Sequence, residues 1–600
     1  MKGISQWGLP QKRLALAAAL LLPPLTAAYL MQLAFGVLPW QFPLLAALGN
    51  AICLGALYYL LCALTGRWVI SALVLHLAGG VWGALNYFVC TFRGTPILPC
   101  DLLALETAAA VSDTYTFSPT LPMVVALVVV AVLTVVLLTR VGTGRVSPRL
   151  RGLCLAACAV CLIPVLHPPL LSHFGIGTNV WDQPSGYRSG GVLGSFLGNT
   201  TFLQVEKPEG LNAEHLAQLL PTAEAASDTL NDQHEGPLPN ILVIMNESWA
   251  DYEGYGNLNL NLNLPVTSYI SSLDNAVWGH AYSPVFGAGT SACEFEFLTG
   301  NSMAFLPAGS APYQQYIREP APSLAWTLRQ SGYDTLAFHP GERNSWQRDR
   351  AYPLLGFEDY LCGEDMDVPR EIVHGFVSDR ADFDQVIYSF EHKDPDKPLF
   401  LFNVTIQNHG GYDNETYEAQ VHLTDCPGKF PLAEQYLSLA RETDLAFQKL
   451  VDYFSQQEEP TIVLMFGDHQ PSVEQEFLDL AYGVKQEDMT MEEYMGKFRV
   501  PYVIWANYPL DPDVTVQDTS LNFLSQALMD YAGLEGDQYF QYLGKLQETV
   551  PVVSFPGYQD PQGNAYSHLE TTPLTALLED YQCLQYQRLF GLEDTNDTSQ

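Results

Sequence analysis

Apolar positions follow two regimes along this chain. Up to residue 171 they form five nearly uninterrupted stretches, near residues 14–35, 42–65, 68–90, 121–139 and 150–171. Each approaches the ~20 residues that a helix needs to cross a hydrocarbon core. After Pro239 the apolar runs shorten and alternate with amphipathic stretches. NILVIMNES from Asn240 is a short buried strand that stops at Glu247. SLAWTLRQSGYDTLAFHP predicts helix, turn and strand, ending at His339. PLFLFNVTIQNHGG is a strand leading to His409. A long amphipathic helix, AEQYLSLARETDLAFQKLVDYF, comes next, and the run Ile462–Phe466 leads into Gly467, Asp468 and His469. Continuous apolar strands separated by helices predict a mostly parallel α/β sheet covered on both faces.

The expected architecture is therefore a five-span α-helical transmembrane domain, residues 1–171, and a juxtamembrane linker, 172–237. An α/β extracytoplasmic domain with a smaller C-terminal portion follows, 238–600. The linker is rich in Gly, Pro, Ser and acids, with one short helix expected near 211–220. Four further apolar stretches after the first argue against a cleaved signal peptide.

Charge sets the orientation. Lys2, Lys12 and Arg13 precede the first span, Arg67 lies between the second and third, and Arg140, Arg145, Arg149 and Arg151 lie between the fourth and fifth. The alternate loops carry only Arg93. The positive-inside rule puts the N-terminus in the cytoplasm and everything after residue 171 outside the cell. Residues 1–171 carry +6 and the remainder −43, out of −37 for the chain. So acidic a domain repels phosphate backbones and excludes nucleic acid as a partner.

Within the spans, Asn50, His76 and Asn86 either line a substrate path or are satisfied by packing between helices. The loop TFRGTPILPCDLLAL reads as a surface-lying segment, with Leu102, Leu103 and Leu105 at the interface. The 11 cysteines show no metal-binding spacing. Seven lie in or beside the spans. Cys293, Cys362, Cys426 and Cys583 lie on the oxidising side, where sequence cannot choose a disulfide.

Glu247, His339, His409, Asp468 and His469 each follow the carboxyl end of an expected strand, where open α/β sheets place their ligand crevice. Thr290, in SPVFGAGTSACEFEFLTGNS, stands where a helix would begin. Read alone it is an ordinary N-cap with Glu294 in the first turn. In a crevice its hydroxyl would be a nucleophile, its alkoxide stabilised by the helix dipole and free N–H groups. Glu247, Thr290, Asp468 and His469 form an oxygen-rich set with one imidazole, suited to Mn2+ or Mg2+ and leaving Zn2+ open.

Together, NES at 246–248, GTSACEFEFLTG at 289–300, HPGERNSWQR at 339–348, NHGGYD at 408–413 and FGDHQPS at 466–472, behind five spans, resemble the lipoteichoic acid synthases and related phosphoglycerol transferases. These are membrane-anchored members of the alkaline phosphatase and sulfatase superfamily. The resemblance implies that Glu247, Thr290, Asp468 and His469 bind Mn2+, with Thr290 as nucleophile. It also implies that His339, Trp346, Arg348 and His409 hold the phosphoglycerol group, with Arg348 forked onto phosphate oxygens and His409 bonded to the phosphoryl group or moving a proton. It further implies phosphatidylglycerol as lipid donor and a growing polymer, glycolipid or glycan hydroxyl as acceptor.

One departure stands out. The polymerising synthases have an Asp two residues after the first His; here Gly341 holds that place and Glu342 follows. Donor and acceptor preference therefore stay open, with a phosphoethanolamine-type transferase, a phosphodiesterase or a sulfatase-like hydrolase as alternatives. The sulfatase alternative lacks the Cys/Ser-x-Pro-x-Arg context at residues 290–294. No second cluster of Asp and His ligands supports a two-metal phosphatase. A non-enzymatic ectodomain is the remaining class.

Overall fold

A computed structural model describes residues 9–103, 117–140, 144–177, 183–203, 205–220, 236–252, 261–510 and 518–592. Leu105 and much of the expected linker lie outside them. The chain divides into two units.

Among the described residues, the first unit holds five helices long and apolar enough to span a membrane. They are α1 (Leu9–Ala34), α2 (Leu44–Thr65), α3 (Trp68–Arg93), α4 (Leu121–Arg140) and α5 (Pro148–Leu166). α1 packs along α3 and α2 along α5. At Gly83 an added Cβ would stand 2.1 Å from the Met31 carbonyl oxygen, so a glycine is required for α1 and α3 to approach this closely.

The unit continues to residue 205, through α6 (Gln183–Gly190) and α7 (Val192–Gly198). Composition alone suggested a tether here, but buried side chains of the spans fix this segment. Gln32 Nε2 donates to the Tyr187 carbonyl at 2.8 Å, and its Oε1 accepts from Val192 N at 3.1 Å. Asn50 bonds the Gly190 carbonyl and Gly194 N, both at 2.7 Å. His76 contacts Thr26 Oγ1 and the Ala72 carbonyl, and Asn86 accepts from Ile97 N. The polar residues of the spans are thus engaged in packing.

The second unit is built on an eight-stranded sheet. Its strands are β1 (Asn240–Asn246), β2 (Ala276–Tyr282), β3 (Asp334–His339), β4 (Asp359–Cys362), β7 (Leu399–Val404), β8 (Thr461–Gly467), β9 (Arg499–Ala506) and β10 (Thr519–Ser520); β5 (Ile372–Val373) and β6 (Phe376–Val377) form a separate hairpin. The sheet order is β10-β2-β9-β8-β1-β7-β3-β4. From β8 to β4 every pairing is parallel, while β9 is antiparallel to both β8 and β2.

β1, β7 and β8 are buried along their whole length, as continuous apolar runs require. Leu242, Ile244, Leu401, Val463 and Met465 pack with Phe447, Leu450 and Phe454 of the long helix Pro431–Phe454. Burial of each such side chain contributes about 1.5–3 kcal/mol.

Because β8, β1, β7 and β3 run parallel and adjacent, their carboxyl ends open on one edge. Asn246 lies opposite Gly467, and Phe338 opposite Asn403. The residues that follow these strands therefore emerge side by side. A short helix, Ala213–Leu219, matches the one expected near 211–220, and a three-stranded antiparallel sheet (Val552–Ser554, Gly557–Gln559, Ala565–Tyr566) belongs to the C-terminal portion.

Candidate active site

Glu247 follows β1 directly, and Asp468 and His469 follow β8. One ligand atom from each lies within 4.8 Å of the others, all in buried residues. Their orientation is set by neighbours. Asp468 Oδ1 accepts from the backbone N–H of Ser248 and of His469, both at 2.7 Å. His469 Nδ1 donates to the Gln470 carbonyl at 3.0 Å, which leaves Nε2 as a lone-pair donor. That nitrogen stands 3.4 Å from Asp468 Oδ2 and 3.7 Å from Glu247 Oε1.

Asp468 Oδ2 is buried and, among the described residues, has no hydrogen-bond partner. An unpaired carboxylate oxygen facing an imidazole lone pair and a second carboxylate is a donor set in want of a cation. Burial first, then the Asp468 charge, pushes the Glu247 carboxyl up to about 8, against opposing contributions from His469, Ser248 and Arg348. The residues therefore fit a divalent ion with oxygen and imidazole ligands, and do not themselves choose Mn2+ over Mg2+ or Zn2+.

A polar layer fixes Glu247 from beneath. Its backbone N–H donates to Thr405 Oγ1 at 3.0 Å, and Asn246 Nδ2 donates to Asp379 Oδ2 at 2.9 Å. Asn408 Nδ2 donates to Asn246 Oδ1 at 3.1 Å. Ser248 takes a left-handed backbone (φ 53°), unusual for a non-glycine residue, and Tyr436 Oη secures it by donating to the Ser248 carbonyl at 2.8 Å.

Thr290 opens the helix Thr290–Thr299, and Gly289, at φ 104°, takes the N-cap position. The hydroxyl is therefore not spent on capping. Gly287 N donates to the Gln470 carbonyl at 3.1 Å, and Cys293 Sγ donates to the Asp468 carbonyl at 3.0 Å. These bonds tie the turn carrying Thr290 to the segment carrying Asp468 and His469.

His339 ends β3. Its Nδ1 donates to the Val404 carbonyl at 2.8 Å, which leaves Nε2 as an acceptor. Burial, then the nearby Arg348 charge, holds this imidazole well below its usual range, against the Val404 bond. Burial also lowers His409, opposed by the Gly410 carbonyl and the Asp468 charge. Phe376 of the β5–β6 hairpin packs against the His409 ring at 5.2 Å. Trp346 (φ 56°) and Gln347 (φ 60°) are consecutive left-handed residues immediately before Arg348. Backbone strain at Ser248 and again at Trp346 and Gln347 flanks the candidate residues.

Arg348 is held by a buried acid. Its Nε and Nη2 both donate to Glu294 Oε1, at 3.0 and 2.5 Å, so that edge of the guanidinium is not open to an incoming phosphate. Tyr352 Oη donates to Glu294 Oε2 at 2.7 Å. Sequence reasoning saw in Glu294 only a first-turn acid, and its partner lies 54 positions away.

Residues 239–534 match the Sulfatase family. A Rhizobium meliloti protein named for cyclic beta-1,2-glucan modification is 31% identical over 422 residues, covering 69% of this chain and 63% of the relative. The lipoteichoic acid synthase of Staphylococcus saprophyticus is 22% identical, covering 64% of this chain and 61% of the relative. The chain thus spans less than two thirds of either curated relative. Among solved structures, the Streptococcus pyogenes phosphoglycerol transferase GacH, in complex with sn-glycerol-1-phosphate, superposes with a TM-score of 0.52 at 18% identity. It covers 64% of this chain and 96% of that one, a likeness of fold.

Proposed function

With residues 239–534 matching the Sulfatase family behind five helices long and apolar enough to span a membrane, we propose that this protein is a membrane-anchored, metal-dependent phosphotransferase of the sulfatase and alkaline phosphatase superfamily. In this reading it moves glycerol phosphate from phosphatidylglycerol to an acceptor hydroxyl on a polymer, glycolipid or glycan. The observation that carries the reading is the orphaned Asp468 Oδ2 facing His469 Nε2 and Glu247, with the turn bearing Thr290 tied to the same segment. The relatives named for glucan modification and lipoteichoic acid synthesis support a cell-envelope acceptor.

Glu247, Asp468 and His469, with the Thr290 hydroxyl, would hold the metal. A bound Mn2+ or Mg2+ supplies Lewis acidity that lowers the hydroxyl pKa and neutralises phosphoryl charge. Thr290 Oγ1 attacks the phosphorus in line. The bond to the diacylglycerol oxygen breaks, that oxygen takes up the proton given up by Thr290, and glycerophospho-threonine remains. An acceptor hydroxyl then attacks the same phosphorus, and Thr290 regains a proton as it leaves. His409 bonds the phosphoryl oxygens or moves the proton, neutral His339 accepts from a ligand hydroxyl, and Trp346 walls the glycerol.

The test is incubation of the purified full chain and Mn2+ with headgroup-labelled phosphatidylglycerol. Diacylglycerol release is expected, and with acceptor withheld the label should appear on the peptide containing Thr290. Full turnover by Thr290→Ala, or an adduct on another residue, would overturn the mechanism.

A further inference from the structure

A buried carboxylate is paired with the arginine proposed to hold phosphate. Glu294 is completely buried and Arg348 is only 2% exposed. The acid sits one helical turn after Thr290, at the i+4 position on the same helix face. It takes both Nε and Nη2 of Arg348 on Oε1, while Tyr352 Oη occupies Oε2. Tyr313 packs edge-on against Tyr352 at 6.1 Å. Burial disfavours the arginine charge, and Glu294 more than restores it, holding Arg348 above its ordinary range.

We propose that Glu294 is a positioning residue. It aims Arg348 by holding the Nε and Nη2 edge, so that Nη1 is presented to the phosphate group of the substrate. The inference rests on the phosphotransferase reading. It deepens that reading, because Glu294 and Thr290 share one rigid turn, so the nucleophile and the anion-binding arm stay in register. The ion pair also cancels much of the arginine's charge, so Arg348 contributes through direction more than through net attraction. A free arginine would have to be ordered anew with each substrate.

The test uses the full chain in detergent, loaded with Mn2+, with labelled phosphatidylglycerol for turnover and glycerol 1-phosphate as binding probe. Glu294→Ala should lower kcat about a hundredfold and Glu294→Gln, which keeps an acceptor oxygen, about tenfold, both with bound Mn2+ unchanged. In an Arg348→Ala background Glu294→Ala should cost less than about twofold more, because residues acting as a unit are not additive. Losses that multiply in the double variant would overturn the proposal. If Glu294→Ala does not fold, the same cycle is run with Glu294→Gln. If the wild type neither turns over the lipid nor binds the probe, the transferase reading fails separately. Crystal structures then decide the positioning claim: an Arg348 guanidinium displaced in the Glu294 variant supports it, and one left in place overturns it.

Discussion

Gly341 matters for the side chain it lacks. A Cβ there would stand 2.4 Å from His339 Nε2, closer than side chains tolerate, and a tight 3.2 Å from Ile406 Cδ1. His339 cannot simply rotate away, because its other nitrogen is bonded to Val404. Gly341→Ala should therefore displace or cover the ring, lowering turnover of labelled phosphatidylglycerol about tenfold or more while bound Mn2+ stays constant. Asp468→Asn should do the opposite to metal content. It keeps an oxygen for the Ser248 and His469 N–H groups but removes the charge from the orphaned position, so bound Mn2+ measured by elemental analysis should fall to background while circular dichroism is unchanged. Glu247, Asp468 and His469 were readable in sequence because each ends an apolar run that can only be a buried strand. Glu294 was not, since a first-turn acid looks the same whether it faces solvent or a distant arginine. Arg348 was expected to hold phosphate, but no local pattern shows which edge of a guanidinium is already occupied.

At the level of elements, the strands β1, β3, β7 and β8 were visible as apolar runs and the helix over 431–454 as an amphipathic periodicity. β2, whose burial is mixed, and the two-residue strands of the β5–β6 hairpin carry too little pattern to be seen. The helix Asp379–Glu391 begins at Ser378, whose Oγ accepts from Ala381 N at 3.1 Å and donates to Glu371 Oε2 at 2.9 Å. Ser378→Ala should destabilise the ectodomain by about 1 kcal/mol, read as a lower thermal midpoint. In the C-terminal portion, burial lowers His568 to about 4, against its bond to the Ser554 carbonyl. A depressed histidine pKa means that the unfolded chain binds the proton more readily. Its stabilising contribution is complete above about pH 6.5 and is lost as pH falls towards 4. The stability difference between wild type and His568→Gln should therefore shrink over that window. A difference independent of pH would show that the imidazole does not titrate in this range.

For the whole molecule, the basic loops and the acidic remainder place the two ends of the transmembrane segment on opposite sides of the membrane. A reporter fused at residue 145 should report cytoplasmic, and one fused after residue 230 external. The reverse at either position would refute the orientation. The large domain therefore folds outside the cell. The pairing of β1 with β8 then acquires a temporal meaning. Ser248 and Asp468, bonded across these neighbouring strands, are 220 residues apart in the chain, and the strands that deliver His339 and His409 are threaded between them. Closing so long a loop is slow compared with forming any local helix. A half-exported chain presents Glu247 without its counterparts and cannot retain a divalent ion at this centre. Metal capture thus cannot precede the export of β8 and its pairing with β1, and catalytic competence arrives late in assembly.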